Sequence, residues 1–243
     1  MREMVRRFLR QKLGSVGVVI ALSVLSLLTA FQVIVTGSGH PLESGGFVAL
    51  LILAAASVSK DSSSGALQMI LARPIRRVEY LFGRYCGILL GYSIYLAVTA
   101  AVALTLSPLL DAVLGRGGSA GALAFGDVAR SAAGALLSAA LLAAVLLFFS
   151  TFLRGYGDIL AYFLLSILLG APDALAGALR KPWLLKLGAI ARENVLPHVD
   201  WDEVLLGRGV LSAATGQYAL ALTGYLALAA WVFSRREFSY GQD

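Results

Sequence analysis

Lys60-Asp61-Ser62-Ser63-Ser64-Gly65-Ala66-Leu67-Gln68-Met69-Ile70-Leu71-Ala72-Arg73-Pro74-Ile75-Arg76-Arg77, continuing through Val78-Glu79-Tyr80-Leu81-Phe82-Gly83-Arg84, is a polar and basic segment between two apolar runs. Asp61 or Ser62 can cap a helix, because a short oxygen-bearing side chain accepts from unpaired backbone N–H groups. Leu67, Ile70 and Leu71 then share one face at i, i+3, i+4 spacing. Pro74 cannot continue the ladder and disfavours helical geometry at Arg73, so this helix is predicted to end near Leu71 or Ala72. A second helix is predicted from about Ile75 through Gly83 into the next apolar run. The first, of about three turns, is too short to hold alone. Its stripe must be covered by lipid or by a partner, since burying each aliphatic side chain is worth roughly 1.5–3 kcal/mol. The segment reads as a docking element; an ordinary interfacial loop helix would satisfy the same physics.

Outward from this segment, the chain is too apolar for a water-soluble domain. Hydrophobic residues make up 58% and charged residues 14%, against about 25% charged in ordinary globular proteins; the mean hydropathy is +0.81. The charges cluster. Residues 13–42, 85–110, 131–153 and 209–234 contain no Lys, Arg, Asp or Glu, and each run can cross a hydrocarbon core of roughly 30 Å at about 1.5 Å per residue. Shorter apolar stretches at 44–59 and 159–172 raise the expected total to six. The expectation is therefore an all-α polytopic membrane protein forming one domain over 1–243. Its spans fall at about 13–37, 43–59, 85–110, 130–153, 157–173 and 209–234.

Charge placement orients these spans. Arg2, Arg6, Arg7, Arg10 and Lys12 precede the first, and Lys60, Arg73, Arg76, Arg77 and Arg84 separate the second from the third. Arg154 lies between the fourth and fifth, and Arg235 and Arg236 follow the last. The positive-inside rule puts both termini and residues 60–84 in the cytoplasm. Loop 174–208, expected outside, runs against the rule with Arg180, Lys181, Lys186, Arg192 and Arg208; a membrane-dipping piece over Ala174–Ile190 would disturb the count. The net charge of +6 fits orientation and contact with anionic membrane lipids better than nucleic acid.

Residues 1–12 carry Met4, Val5, Phe8 and Leu9 on one face and arginines elsewhere, the pattern of an interfacial amphipathic helix; the alternative is a frayed basic end. The apolar run that follows exceeds the roughly 7–15 residues of a signal-peptide core and has no small-x-small cleavage site after it, so it reads as a retained span. Gly83, Gly87 and Gly91 form a small-xxx-small stripe that admits close helix approach, either within the monomer or toward a second copy. Tyr92, Tyr95, Gln217 and Tyr218 read as helix-to-helix hydrogen-bonding residues ahead of cavity-lining ones.

The pattern Asp61-x3-Gly65-x-Leu67-x3-Leu71-x-Arg73-Pro74-Ile75-x-Arg77-x5-Gly83-Arg84 resembles the cytoplasmic signature of the permease subunits of ABC-2 type transporters. In that family an acidic residue, a Gly, a Leu and a [Lys/Arg]-Pro-[Ile/Val]-x-Arg run follow the second span, and Gly-[Lys/Arg] opens the third. Asp61 replaces the commoner Glu, and Ala66 stands where Thr is frequent. The size and plain layout are also similar to the accessory-permease branch associated with copper-enzyme maturation. The resemblance implies that residues 60–84 are a coupling helix seated in a cytoplasmic ATPase subunit dimer, with Asp61, Gly65, Leu67, Ile70, Leu71, Arg73, Pro74 and Arg77 as coupling residues. It implies a second permease copy or a homologue, and a bacterial or archaeal cytoplasmic membrane. ATP and Mg would be bound by the partner, since no Gly-x4-Gly-Lys-[Ser/Thr] sequence occurs here.

Catalytic and metal-bound chemistry is not expected in this chain. The spans hold no central Asp, Glu, Lys, Arg or His, which argues against a proton path, and no paired carboxylates or Cys/His dyad. Cys86 is the single cysteine, which excludes an internal disulfide. His40 and His198 read as solvated, and Asp158 as a local partner of Arg154. Two functions remain: export driven by a separate ATPase, or transmission of ATP-driven motion to an extracytoplasmic protein that would meet loop 171–208, with its Trp183, Pro197 and Trp201.

Overall fold

A computed structural model describes residues 2–36, 38, 41–55, 57–58, 77–114, 124–153, 156–179, 181–207 and 212–235. Among them the chain is all-α, with helices α1 (Arg2–Leu13), α2 (Val16–Thr36), α3 (Pro41–Ala54), α4 (Arg77–Leu114), α5 (Phe125–Ser150), α6 (Gly157–Leu179), α7 (Pro182–Val195), α8 (Trp201–Leu205) and α9 (Ala213–Arg235). Five helices among the described residues are long and apolar enough to cross a membrane: α2, α4, α5, α6 and α9. Their outward faces are a girdle of Ile20, Leu27, Leu28 and Phe31 on α2, Leu160, Leu164, Ile167 and Leu168 on α6, and Leu220 and Trp231 on α9, all exposed. Apolar surface on this scale is suited to lipid and not to water. The chain is a multi-pass, all-α membrane protein.

The sixth expected span is α3, with 14 residues where 43–59 was anticipated. At about 21 Å it is shorter than a typical hydrocarbon core. It is nevertheless the most enclosed helix: Leu42, Ala49, Leu50, Leu51, Leu53 and Ala54 are buried against α2, α4 and α5. It runs antiparallel to α2, from Leu42 beside Val33 and Ile34 to Ala55, whose carbonyl meets Lys12. Gly45 and Gly46 make that approach possible. A Cβ at the first would collide with the Thr29 side chain, and one at the second with the Tyr92 hydroxyl.

Helix α5 is the axis, touching α3, α4, α6, α8 and α9. Its buried Gly134, Ala135, Ala139, Ala143 and Ala144 let neighbouring backbones come close, as small residues do where lipid supplies no hydrophobic drive. Two pairs of polar groups inside the bundle are matched across helices. Ser26 shares a hydrogen bond with Thr99 at 3.0 Å, and Thr29 with the Tyr95 hydroxyl at 3.0 Å.

Three helices bear on the expected span limits. Helix α4, which carries the expected span 85–110, starts at Arg77, in line with the helix expected from about Ile75 into that span, and its first turns are buried at Tyr80, Leu81 and Arg84. At 38 residues, or about 57 Å, α4 overruns a bilayer core. Within 174–208, where a membrane-dipping or interfacial piece over Ala174–Ile190 is one expectation, α6 continues to Leu179, and α7 and α8 follow. Helix α9, which carries the expected span 209–234, starts at Ala213; residues 208–211 lie outside the described residues.

Candidate functional site

The basic end of the bundle gathers the end of α1, the starts of α2, α4 and α6, and the ends of α3, α5 and α9. Helix α1 is held there by its apolar face. Phe8 is fully buried, and Met4 and Leu9 pack against the same core cluster. Arg6, Arg7 and Arg10 point outward and are exposed. The surface that receives α1 is the glycine stripe. A Cβ at Gly83 would lie 2.9 Å from Met4, and one at Gly87 2.6 Å from the Phe8 ring; at Gly91 it would meet Leu53 at 3.4 Å and Leu9 at 3.7 Å. The stripe is thus occupied within the chain.

Beneath α1 lies Arg84, 7% exposed. Its Nε donates to the Tyr80 hydroxyl and its Nη1 to Gln11 Oε1, each at 3.2 Å. Its guanidinium lies over the rings of Phe8 and Tyr80, 5.3 and 5.5 Å from their centroids. Such stacking in a desolvated site contributes about 2 kcal/mol. Lys12 Nζ donates to the Ala55 carbonyl at 2.7 Å, fastening α1 to the end of α3. Arg77 Nη1 donates to the Ser234 carbonyl at 3.0 Å, and Tyr80 stacks on Phe233 with centroids 5.7 Å apart, which fastens the start of α4 to the end of α9. Ser150, the last residue of α5, accepts from the Val58 backbone N–H at 3.1 Å.

Val58 and Arg77, which flank residues 59–76, therefore both stand at this end of the bundle, against α5 and α9. Those residues lie outside the described residues, and with them the expected positions Asp61, Gly65, Leu67, Ile70, Leu71, Arg73 and Pro74. Of the eight expected coupling residues, Arg77 alone is described. Sequence reasoning missed Lys12 and Ser57, and it assigned Arg84 no side-chain partner. Ser57 is buried, and its Oγ has no hydrogen-bond partner among the described residues. A cavity of about 400 Å³ opens here between α1, α2, α3, α4 and α6.

The opposite end carries a helical cap. Helix α7 folds back on α6, joined by Arg192 Nη1 to Asp173 Oδ2 at 2.6 Å. The Tyr225 hydroxyl donates to the Val195 carbonyl at 3.1 Å. Asp200 caps α8 by accepting from the Asp202 and Glu203 amides. Trp201 meets Tyr218 edge to face at 4.8 Å, and the Tyr218 hydroxyl donates to the Leu137 carbonyl on α5. Tyr95 and Tyr218 thus join helices, as read from sequence. His198 is exposed, and Asp158 is buried, its Oδ1 accepting from the Ile159 amide; its expected partner Arg154 lies outside the described residues. Among the described residues no group of three or more His, Cys, Asp or Glu side chains is placed to hold a metal ion. Compared with protein-family models and with curated proteins, the sequence matches none.

Proposed function

We propose that this chain is the transmembrane permease subunit of an ABC-2 type transporter, coupling ATP hydrolysis on a separate cytoplasmic ATPase subunit to export of a substrate. The observation that carries the reading is the convergence at one end of the bundle. The signature-bearing segment leaves from Val58 and re-enters at Arg77, beside Lys12, Arg84 and Arg235, at the cation-rich end that the positive-inside rule assigns to the cytoplasm. A docking element moved there would act on three helices at once: α4 through Arg77, α5 through Val58 and Ser150, and α9 through Ser234. With α3 counted as a short, enclosed crossing, the layout is six spans with both termini inside. A second permease copy or homologue completes the assembly.

A second reading has its own support. The cap of α7 and α8 is fastened to α5 and α9, and the far end of α5 is hydrogen-bonded beside residue 58. Motion delivered at the basic end would reach the cap through one 26-residue helix. This suits a non-transport subunit that passes ATP-driven motion to an extracytoplasmic partner.

The test is Leu67→Asp. A carboxylate in the middle of the stripe must be desolvated in the ATPase cleft or withdraw the helix, at a cost of several kcal/mol. Normal membrane abundance with loss of ATPase co-purification is the expected result. Full partner binding and full activity in the variant would reduce the segment to an ordinary loop helix.

A further inference from the structure

The cavity at the basic end has the two-sided chemistry of a site for an amphiphilic anion. One part of its lining is polar: Gln11, Lys12, Ser15, Ser57, Arg84 and Tyr156. The other is aliphatic, from Val18 and Val48 through Leu51 and Ile52 to Ile159. Among the described lining residues two are cationic and none is acidic, while the neighbouring Asp158 on α6 is buried with its Oδ1 accepting from the Ile159 amide; the lining itself thus favours an anion. The lysine and the guanidinium are held in place by the Ala55 carbonyl, Gln11, Tyr80 and the Phe8 ring, which leaves little ordering to be done on binding. Ser57 supplies the independent mark. Its hydroxyl is 3% exposed, lines the cavity and has no hydrogen-bond partner among the described residues. A buried polar group left unpaired costs free energy, and an oxygen-rich ligand in the cavity removes that cost.

We infer that this cavity binds the phosphate headgroup of an anionic membrane lipid, with part of an acyl chain along the wall of Val18, Val48 and Ile52. The aliphatic wall selects a lipid over a soluble phosphate, which would gain nothing from it. The position fits as well. The cavity sits where the amphipathic α1 meets the first turn of α2, the level at which basic side chains reach lipid headgroups. A lipid there would touch α1, α3 and α4 together, joining the N-terminal helix to both flanks of the 59–76 segment. The site does not depend on the ATPase reading, because none of the residues it is argued from lies in the 59–76 segment.

The experiment uses the full chain, delipidated in detergent and then titrated separately with phosphatidylglycerol, phosphatidylcholine and inorganic phosphate, with thermal midpoint and native mass spectrometry as readouts. Phosphatidylglycerol is expected to raise the midpoint and to remain bound through washing, phosphatidylcholine to do so weakly, and inorganic phosphate not at all. Lys12→Gln, which removes the charge, and Ser57→Leu, which fills the cavity and leaves the charges in place, should each weaken the phosphatidylglycerol response by about tenfold or more. Equal retention of phosphatidylglycerol by the original chain and both variants would overturn the site. Equal protection by phosphatidylcholine, or by inorganic phosphate at the same concentration, would overturn its assignment to an anionic lipid.

Discussion

Replacing Gly87 with alanine tests whether α1 is docked on α4 or lies free in the membrane interface. The added Cβ would stand 2.6 Å from Phe8 Cδ1, 3.0 Å from Cγ and 3.2 Å from Cβ, and the ring has no slack because Phe8 is fully buried. Overpacking of this kind costs about 1–3 kcal/mol, which raises the undocked population of α1 about 5- to 150-fold. The gain in helix propensity from Gly to Ala, about 1 kcal/mol, falls on α4 in both docked and undocked states and cancels. Limited trypsinolysis followed by mass spectrometry reads the open population at Arg6, Arg7 and Arg10, provided that reclosing is fast relative to cleavage. Gly17→Ala is the control, since its Cβ would meet nothing within 4 Å beyond its own helix backbone and chain neighbours. Phe8→Ala should also accelerate cleavage by removing the anchor. The double variant should then be less than additive, with a coupling of at least about 1 kcal/mol. Cleavage of Gly87→Ala within twofold of the Gly17→Ala control, or strictly additive effects of the two changes, would refute the docking.

In a Cys86→Ser background, a cysteine at Ser64 should react with an impermeant thiol reagent from the cytoplasmic face only, and one at Ser38 from the opposite face only; labelling of both from one face would overturn the orientation. Trp201→Ala should loosen the cap, because it removes an edge-to-face contact with Tyr218 and leaves a void costing about 3–5 kcal/mol. The expected readout is faster hydrogen exchange over 196–207 with little change in α2. Thr29→Val should cost only about 0.6 kcal/mol, the typical worth of an interhelical hydrogen bond in a bilayer. A thermal loss beyond that expected from about 2 kcal/mol would mean that the Thr29–Tyr95 pair organises more of the core than its geometry implies.

Local chemistry made much of this protein legible from its sequence. Long runs without charge mark α2, α4, α5 and α9 because hydrocarbon excludes ionised groups whatever the fold. The 3.6-residue period marks α1 as amphipathic from Met4, Phe8 and the arginines alone, and the lack of a breaker between Ile75 and Gly83 predicts the helix that runs into α4. Tertiary structure decided what each apolar or small face meets. The face of Met4 and Phe8 can be covered by lipid or by another helix at similar hydropathy, and only packing puts it on Gly83 and Gly87. Arg84 reads in sequence as one more flanking cation; its burial depends on Phe8, Gln11 and Tyr80 arriving from two helices. Residues 174–208 carry no long apolar run because their helices are held by the Trp201–Tyr218, Tyr225–Val195 and Arg192–Asp173 contacts and not by lipid. The apolar stretch 44–59 marks α3 in the sequence, but its enclosure comes from its neighbours α2, α4 and α5 and not from its own length.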